Sequence, residues 1–188
     1  MRGLDGDLDA IYLKHVGPIR GYLRRLSGDA DLASDLTQEV FYRAMRQLWS
    51  GVEVRYVSSW LYRIARNLYL DHSRKGRAPT TSLDYLPAPS GAGGPAGAAP
   101  PVTPEVLRST LGRPEDELLR RERRDGVLAA VGRLPENQRT ILLLRDVDGL
   151  SYEEIALAMD MTAGAVKSCL HRARRRFVEV YLELERGE

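Results

Sequence analysis

The chain is poor in the residues that metal and redox chemistry depend on. Its 188 residues hold one cysteine, Cys169, and three histidines, His15, His72 and His171. A single cysteine excludes an internal disulfide framework and a cysteine-based metal site, and the histidines share no local spacing that would make a ligand set. A Gly-rich phosphate loop and a nucleophile constellation are also missing, so no metal, cofactor or catalytic residue is expected. No apolar run reaches the ~20 residues needed to cross a bilayer, and residues 1–10 are acidic and lack a signal-peptide core. Both absences point to the cytoplasm. Lysine is scarce as well, 3 against 25 arginines, so most positive charge sits on planar forks suited to phosphates and base edges.

What is present is unevenly distributed. The net charge is only +2, yet residues 1–77 carry 13 Lys/Arg against 9 Asp/Glu. Residues 116–188 carry 13 against 14, although residues 167–176 alone contribute five cations and no carboxylate. Between these regions the composition changes to PAPSGAGGPAGAAPPVTP (87–104), with too few large apolar groups to offset the entropy of ordering. The expected layout is two small helical domains, 1–77 and 114–188, joined by a flexible Pro/Gly/Ala-rich linker over 78–113.

Both outer regions show helical periodicity and no period-2 strand pattern, so the fold class is all-α. Residues 8–26 place Ile11, Tyr12, Ile19, Leu23 and Leu26 at helical intervals, with Pro18 expected to kink or split the segment. SGDAD (27–31) interrupts it, and Asp31 is the expected N-cap of a helix running to Trp49. Its stripe is Leu32, Leu36, Val40, Phe41, Ala44 and Leu48. A loop over 50–59 precedes a helix from Ser58 or Ser59 to Lys75. In the second region helices are expected at 115–132, 136–147, 151–159 and 163–182. Pro135 suits a first-turn position, Gly149 a helix end, and Ser151 with Glu154 a capping box.

SYEEIALAM, DMT and AGAVKSCLHRARRRF have the proportions of a helix-turn-helix. At about 100° per residue, Val166, Leu170, Ala173 and Phe177 share one side of the second helix, while Lys167, Ser168, His171 and Arg175 share the other. Arg172 and Arg176 lie on a flank, and Cys169 falls between the two faces as small apolar filler. A charge run is often only a solvated face. Here it lacks interleaved glutamate, follows a short capped helix and a tight turn, and fits the major groove of an anionic duplex.

In the first region Asp35, Gln38, Glu39 and Tyr42 lie together opposite Leu36 and Phe41. By themselves they fit a solvated acidic face near a helix N-terminus as well as a contact surface. Trp60, Arg63, Asn67 and Arg74 align along one side of the next helix. Trp60 taken alone is either a core aromatic or a stacking surface for unpaired bases.

LPENQRTILLLRDVDGLSYEEIALAMDMTAGAVKSCLHRARRRF (134–177) closely resembles domain 4 of bacterial extracytoplasmic-function (ECF) sigma factors. DLTQEVFYRAMRQL (35–48) and WLYRIARNLYLDHSRKGR (60–77) resemble domain 2 of the same family, in the family's order. The resemblance implies a sigma factor that binds RNA polymerase core and directs promoter-specific initiation without chemistry of its own. It implies duplex −35 reading by Lys167, Ser168, His171 and Arg172, with Arg174, Arg175 and Arg176 on phosphate. It implies capture of single-stranded −10 bases around Trp60, Arg63, Asn67 and Arg74, with Glu53, Arg55 and Tyr56 of the preceding loop forming a flipped-base pocket. Asp35, Gln38, Glu39 and Tyr42 would dock on the polymerase β′ clamp, domain 4 would sit by the β flap, and a separate anti-sigma factor would supply control. Two positions depart from the family pattern. Cys169 stands where arginine is common, and Asp160 stands where glycine is frequent, although aspartate tolerates the left-handed turn. A stand-alone helix-turn-helix regulator would explain 116–188 but leaves the 35–48 and 60–77 matches unexplained; a small helical enzyme would need a constellation the chain lacks.

Overall fold

A computed structural model describes residues 4–76 and 117–187; the expected linker over 78–113 lies outside them. Seven α-helices occur among the described residues, with no strand. Three belong to the first region: α1 (Leu4–Ser27), α2 (Ala30–Trp49) and α3 (Val57–Gly76). The second region holds α4 (Glu117–Gly132), α5 (Glu136–Leu142), α6 (Tyr152–Met159) and α7 (Ala163–Glu185), with a π-helical turn at Leu143–Val147 between α5 and α6.

The first three helices pack pairwise around Ile19, Tyr22 and Leu23 of α1, Leu36, Val40 and Phe41 of α2, and Leu61, Ile64 and Leu68 of α3. These are the apolar positions at three- and four-residue spacing, so the stripe of each helix becomes the bundle core. Pro18 neither splits nor ends α1, which runs through it. Pro18 is exposed, on a face where the carbonyl its missing N–H leaves unpaired can meet water. The cap of α2 is Asp29 rather than Asp31. The Asp29 carboxylate accepts from the backbone N–H of Asp31 at 2.9 Å and of Leu32 at 3.1 Å. The helix therefore starts two residues earlier than the Asp31 expectation, and Asp31 adds negative charge to its first turn.

In the second region α7 is the central element, contacted by α4, α5 and α6. The Ser151 hydroxyl accepts from the Glu154 N–H at 3.1 Å, and the Glu154 carboxylate accepts from the Ser151 N–H at 2.8 Å, completing the expected capping box. Pro135 sits at the cap position of α5, one residue before its first turn. The expected helix 136–147 loses α-helical register at Leu143, where the chain widens into the π turn and the Asp148 N–H reaches back to the Leu143 carbonyl at 3.0 Å.

This turn aims two carboxylates in different directions, because residues two apart on a helical segment do not share a face. Asp146 reaches α7, where Arg174 donates to its two oxygens at 2.6 and 3.1 Å. Asp148 reaches across to α1 and accepts from Arg25 at 2.6 Å. The two regions thus pack on each other, with α3 against α6 and the end of α1 against the π turn.

Candidate nucleic-acid interface

The helix-turn-helix is built by local chemistry. Asp160 ends α6 in the left-handed conformation, with φ 54° and ψ 50°, so the turn forms without glycine. Thr162 caps α7 by accepting from the Ala165 N–H at 3.2 Å. From there the helix divides as its periodicity predicts. Val166, Leu170, Ala173, Phe177 and Val180 are buried, and Cys169 is buried with them. Burial pushes the Cys169 thiol pKa up, against a smaller opposing effect of Arg172. That position acts as apolar filler and not as a thiolate.

Lys167, Ser168, His171 and Arg175 are exposed on the opposite side, and Arg172 and Arg176 are exposed on the flank. The Ser168 hydroxyl is turned back onto the Gly164 carbonyl at 3.1 Å. Arg176 and Arg175 approach Glu179 at 3.3 and 3.9 Å, weak surface pairs that a phosphate can displace. Arg174 differs from its expected place among the phosphate-facing arginines. It lies four residues after buried Leu170, on the inward edge, and its guanidinium is engaged by the buried Asp146 carboxylate. That pairing, chiefly through its hydrogen bond, raises the Arg174 pKa.

One feature of this surface was not legible from spacing. The Tyr152 ring lies between two cations, with the Arg145 guanidinium 4.7 Å and the Lys167 ammonium 5.3 Å from its centroid. Arg145 also donates to the Leu150 carbonyl at 2.7 Å. The ring therefore joins the π turn, α6 and α7 into one basic surface. The signal, a tyrosine next to the capping serine, has meaning only once the turn brings Arg145 beside it.

The α3 surface is arranged differently. Arg63, Asn67 and Arg74 are exposed and share a side of the helix. Trp60 is only 7% exposed, and its indole N–H donates to the Gln47 side chain of α2 at 3.1 Å. In this arrangement it is a core aromatic joining α3 to α2 and does not present a free stacking face. In the loop before α3, Glu53, Arg55 and Tyr56 are exposed, with the Arg55 guanidinium 5.5 Å from the Tyr56 ring centroid. Tyr56 and Arg63 line an open cleft of about 640 Å³ whose other wall is α6 and the turn after it, including Glu153, Glu154 and Asp160.

On α2, Asp35, Gln38 and Tyr42 are exposed and Glu39 is half-buried. Glu39 accepts from Arg43 at 2.6 Å, and Arg46 sits 5.8 Å from the Tyr42 ring centroid. The four residues form one continuous surface away from the bundle core.

Known proteins share both halves of this arrangement. The family description Sigma-70 region 2 matches residues 11–78, and Sigma-70, region 4 matches residues 124–177. The RNA polymerase sigma-H factor of Pseudomonas aeruginosa is 34% identical over 175 residues, covering 92% of this chain and 85% of that protein. The ECF RNA polymerase sigma-E factor of Escherichia coli K12 is 35% identical over 150 residues, covering 79% of this chain and 71% of that one. The chain belongs to the ECF sigma factors. Among solved structures, the sigma factor RpoE of Bartonella quintana, crystallised with the anti-sigma factor NepR, superposes with a TM-score of 0.63 at 25% identity, over 93% of this chain and 96% of that one. CnrH in complex with the cytosolic domain of CnrY shares the fold, with a TM-score of 0.60 at 16% identity, over 95% and 89% of the two chains. As an ECF sigma factor, the chain has its two matched regions in helices α1–α3 and α4–α7. No helix among the described residues is long and apolar enough to cross a membrane.

Proposed function

We propose that this sigma factor binds RNA polymerase core and selects promoters by gripping DNA at two points. Residues 1–77 form the domain that docks on core and takes the −10 strand, and residues 114–188 form the domain that reads the −35 duplex. The observation that carries this reading is the division of α7. Its buried edge is fixed to α4, α5 and α6, while Lys167, Ser168, His171 and Arg172 are exposed along the rest of a helix that a major groove can admit. Arg175 and Arg176 supply phosphate contacts, and Tyr152 holds the Lys167 ammonium at the groove-facing side. Arg174 contributes by fixing α7 to the π turn.

In the other domain, Arg63, Asn67 and Arg74 offer charge and hydrogen bonds along one face of α3 to a single strand, with Arg55 and Tyr56 at its entry. Trp60 supports that face from within. Capturing unpaired bases shifts the duplex equilibrium toward the melted form, so promoter opening needs no covalent step and no cofactor. Asp35, Gln38, Glu39 and Tyr42 on α2 dock on the β′ clamp, and the α7 domain sits near the β flap. The protein works in the cytoplasm, where core polymerase is found, and a separate anti-sigma factor occupies the same surfaces to keep it off core.

Runoff transcription with purified core polymerase on a promoter library tests the reading directly. Promoter-dependent transcripts that require this chain are expected. Sequence-specific duplex binding with no core binding would favour a stand-alone regulator instead.

A further inference from the structure

The sequence holds two tryptophans, and the fold treats them in opposite ways. Trp60 is buried, with its indole N–H given to Gln47. Trp49, the last residue of α2, is 62% exposed. It lies between the stretches 35–48 and 60–77 that carry the family resemblance, so the resemblance assigns it no role. A single exposed apolar side chain is ordinary by itself. Three features of its surroundings give this one a partner.

The first is a fixed backbone. The Ser50 N–H donates to the Arg46 carbonyl at 3.1 Å, and the Ser50 hydroxyl donates to the Gln47 carbonyl at 2.8 Å. Gly51 turns the chain at φ 86°, and the Val52 N–H returns to the Gln47 carbonyl at 3.2 Å. The Gln47 side chain accepts from Trp60, so the end of α2, the turn and the head of α3 are tied together. Residues two apart do not share a helix face, so Trp49 cannot follow Gln47 inward. Its ring is held out at the edge of this unit, beside half-exposed Val52.

The second feature is charge. Residues 43–57 contain three arginines, Arg43, Arg46 and Arg55, against one carboxylate, Glu53. Arg43 is taken by Glu39 at 2.6 Å. Arg46 is exposed and lies three residues before Trp49, on the same side of α2. Arg55 is exposed on the loop beyond the turn.

The third is that neighbouring exposed rings are already engaged. Tyr12 meets Phe41 edge-on at 4.9 Å between centroids, Arg46 lies 5.8 Å from the Tyr42 ring, and Arg55 lies 5.5 Å from the Tyr56 ring. Among the described residues, no ring or cation covers the Trp49 indole. A flat apolar face flanked by guanidinium groups is the surface an unpaired base stacks on.

We propose that Trp49 is a stacking platform for an unpaired base at the edge of the opened −10 segment, with Arg46 and Arg55 on the flanking phosphates. This rests on the sigma function proposed above. A duplex keeps its base faces stacked on one another, so the platform gains a ligand only when a base leaves the helix. Trp49 therefore favours opening and adds nothing to closed promoter binding. Every base has a π face, so the added opening strength does not narrow the promoter sequence.

Holoenzyme assembled from core polymerase and the full chain, on a promoter recovered from the runoff library, tests this. Permanganate reactivity of unpaired thymines reads opening, and gel shifts read closed-complex and core binding. Trp49→Ala should lower the permanganate-reactive fraction about 5- to 150-fold, the factor that a stack of about 1–3 kcal/mol implies. Core binding and closed-complex binding should not change. Trp49→Phe should keep most of the opening, and Trp49→Leu, apolar but without a ring, should not. On a template mismatched across the −10 segment, Trp49→Ala should still bind more weakly, because the base is free but has no platform.

Unchanged opening by Trp49→Ala, full opening by Trp49→Leu, or a loss confined to the paired template would each overturn the proposal. Weakened core binding would overturn it too and place the indole on a polymerase contact. Circular dichroism and thermal melting of Trp49→Ala should match wild type, and an unfolded variant would remove the exposed placement on which the proposal stands. A wild type that gives no promoter-dependent transcript sinks the sigma reading and this one with it. An active wild type beside an unaffected Trp49→Ala sinks this one alone.

Discussion

Helices α3 and α7 are both amphipathic and both bear arginines, yet they present their polar faces in opposite conditions. On α7 the side chains proposed to face the groove are in solvent, and the buried edge is held by three other helices and the Asp146–Arg174 pair. On α3 the aromatic at the head of the stripe, Trp60, is buried against α2, and Arg63 faces an acidic wall. The difference matches the two states of DNA each helix is proposed to meet. Duplex has a fixed shape that a rigid helix can match in advance, whereas an unpaired strand appears only after melting. The proposed −35 surface is preformed, and the proposed −10 surface is partly walled in by α6.

The strongest way to break this contrast is through Trp60. If it is a core aromatic, Trp60→Ala lowers the stability of the α1–α3 unit by about 3–5 kcal/mol, the usual range for a large buried aromatic. Chemical denaturation followed by circular dichroism measures this; a change under about 1 kcal/mol would show that the indole is not core. Next comes the preformed surface. Lys167→Ala with His171→Ala should weaken −35 duplex binding by about 1–3 kcal/mol per lost contact while leaving the melting temperature unchanged. A shallower salt dependence should accompany the lysine change. Unchanged promoter choice in transcription would remove both residues from the reading face.

A smaller effect is a pH dependence set where the two regions meet. Burial pushes the Asp148 pKa up to about 6 from 3.8, with Arg25 and then Tyr62 opposing the rise. The folded chain therefore holds the proton more tightly than the unfolded chain. The resulting stabilisation is complete below about 3.8 and is lost as pH rises through about 6. Between about pH 7 and pH 5 the folded state should gain about 1.4 kcal/mol, roughly tenfold in the folded-to-unfolded ratio. Chemical denaturation across that range checks it, and Asp148→Asn should flatten the response. The smallest effect concerns the turn of the preformed reader. Asp160→Gly relieves a left-handed aspartate and should raise stability by no more than about 1 kcal/mol, visible as a modest shift in thermal melting without a change in DNA specificity.

Short-range features were readable because their partners lie within a helical turn. Ser151 and Glu154 are three residues apart, so the capping box needs nothing beyond the sequence to form. The faces of α7 follow from 3.6-residue periodicity, which burial of Val166, Leu170 and Ala173 reproduces. The cap of α2 shows the limit of the same logic. Asp29 and Asp31 are both good capping residues, and the choice between them depends on where helix α2 begins. The π turn is less visible still, since LLRDV continues an apolar helical pattern and its widening shows only in the backbone.

By itself the sequence determined an all-α chain, two helical regions, the turn at Asp160 and the cationic side of α7. These depend on local spacing and composition, whose energetics act between residues a few positions apart. Tertiary structure alone decided that Trp60 is buried, that Arg174 is engaged by Asp146, and that Arg25 meets Asp148 across the contact between the two regions. Each depends on the distance between groups far apart in the chain, 28 residues for Arg174 and 123 for Arg25, and no periodicity encodes which distant helix a side chain will face.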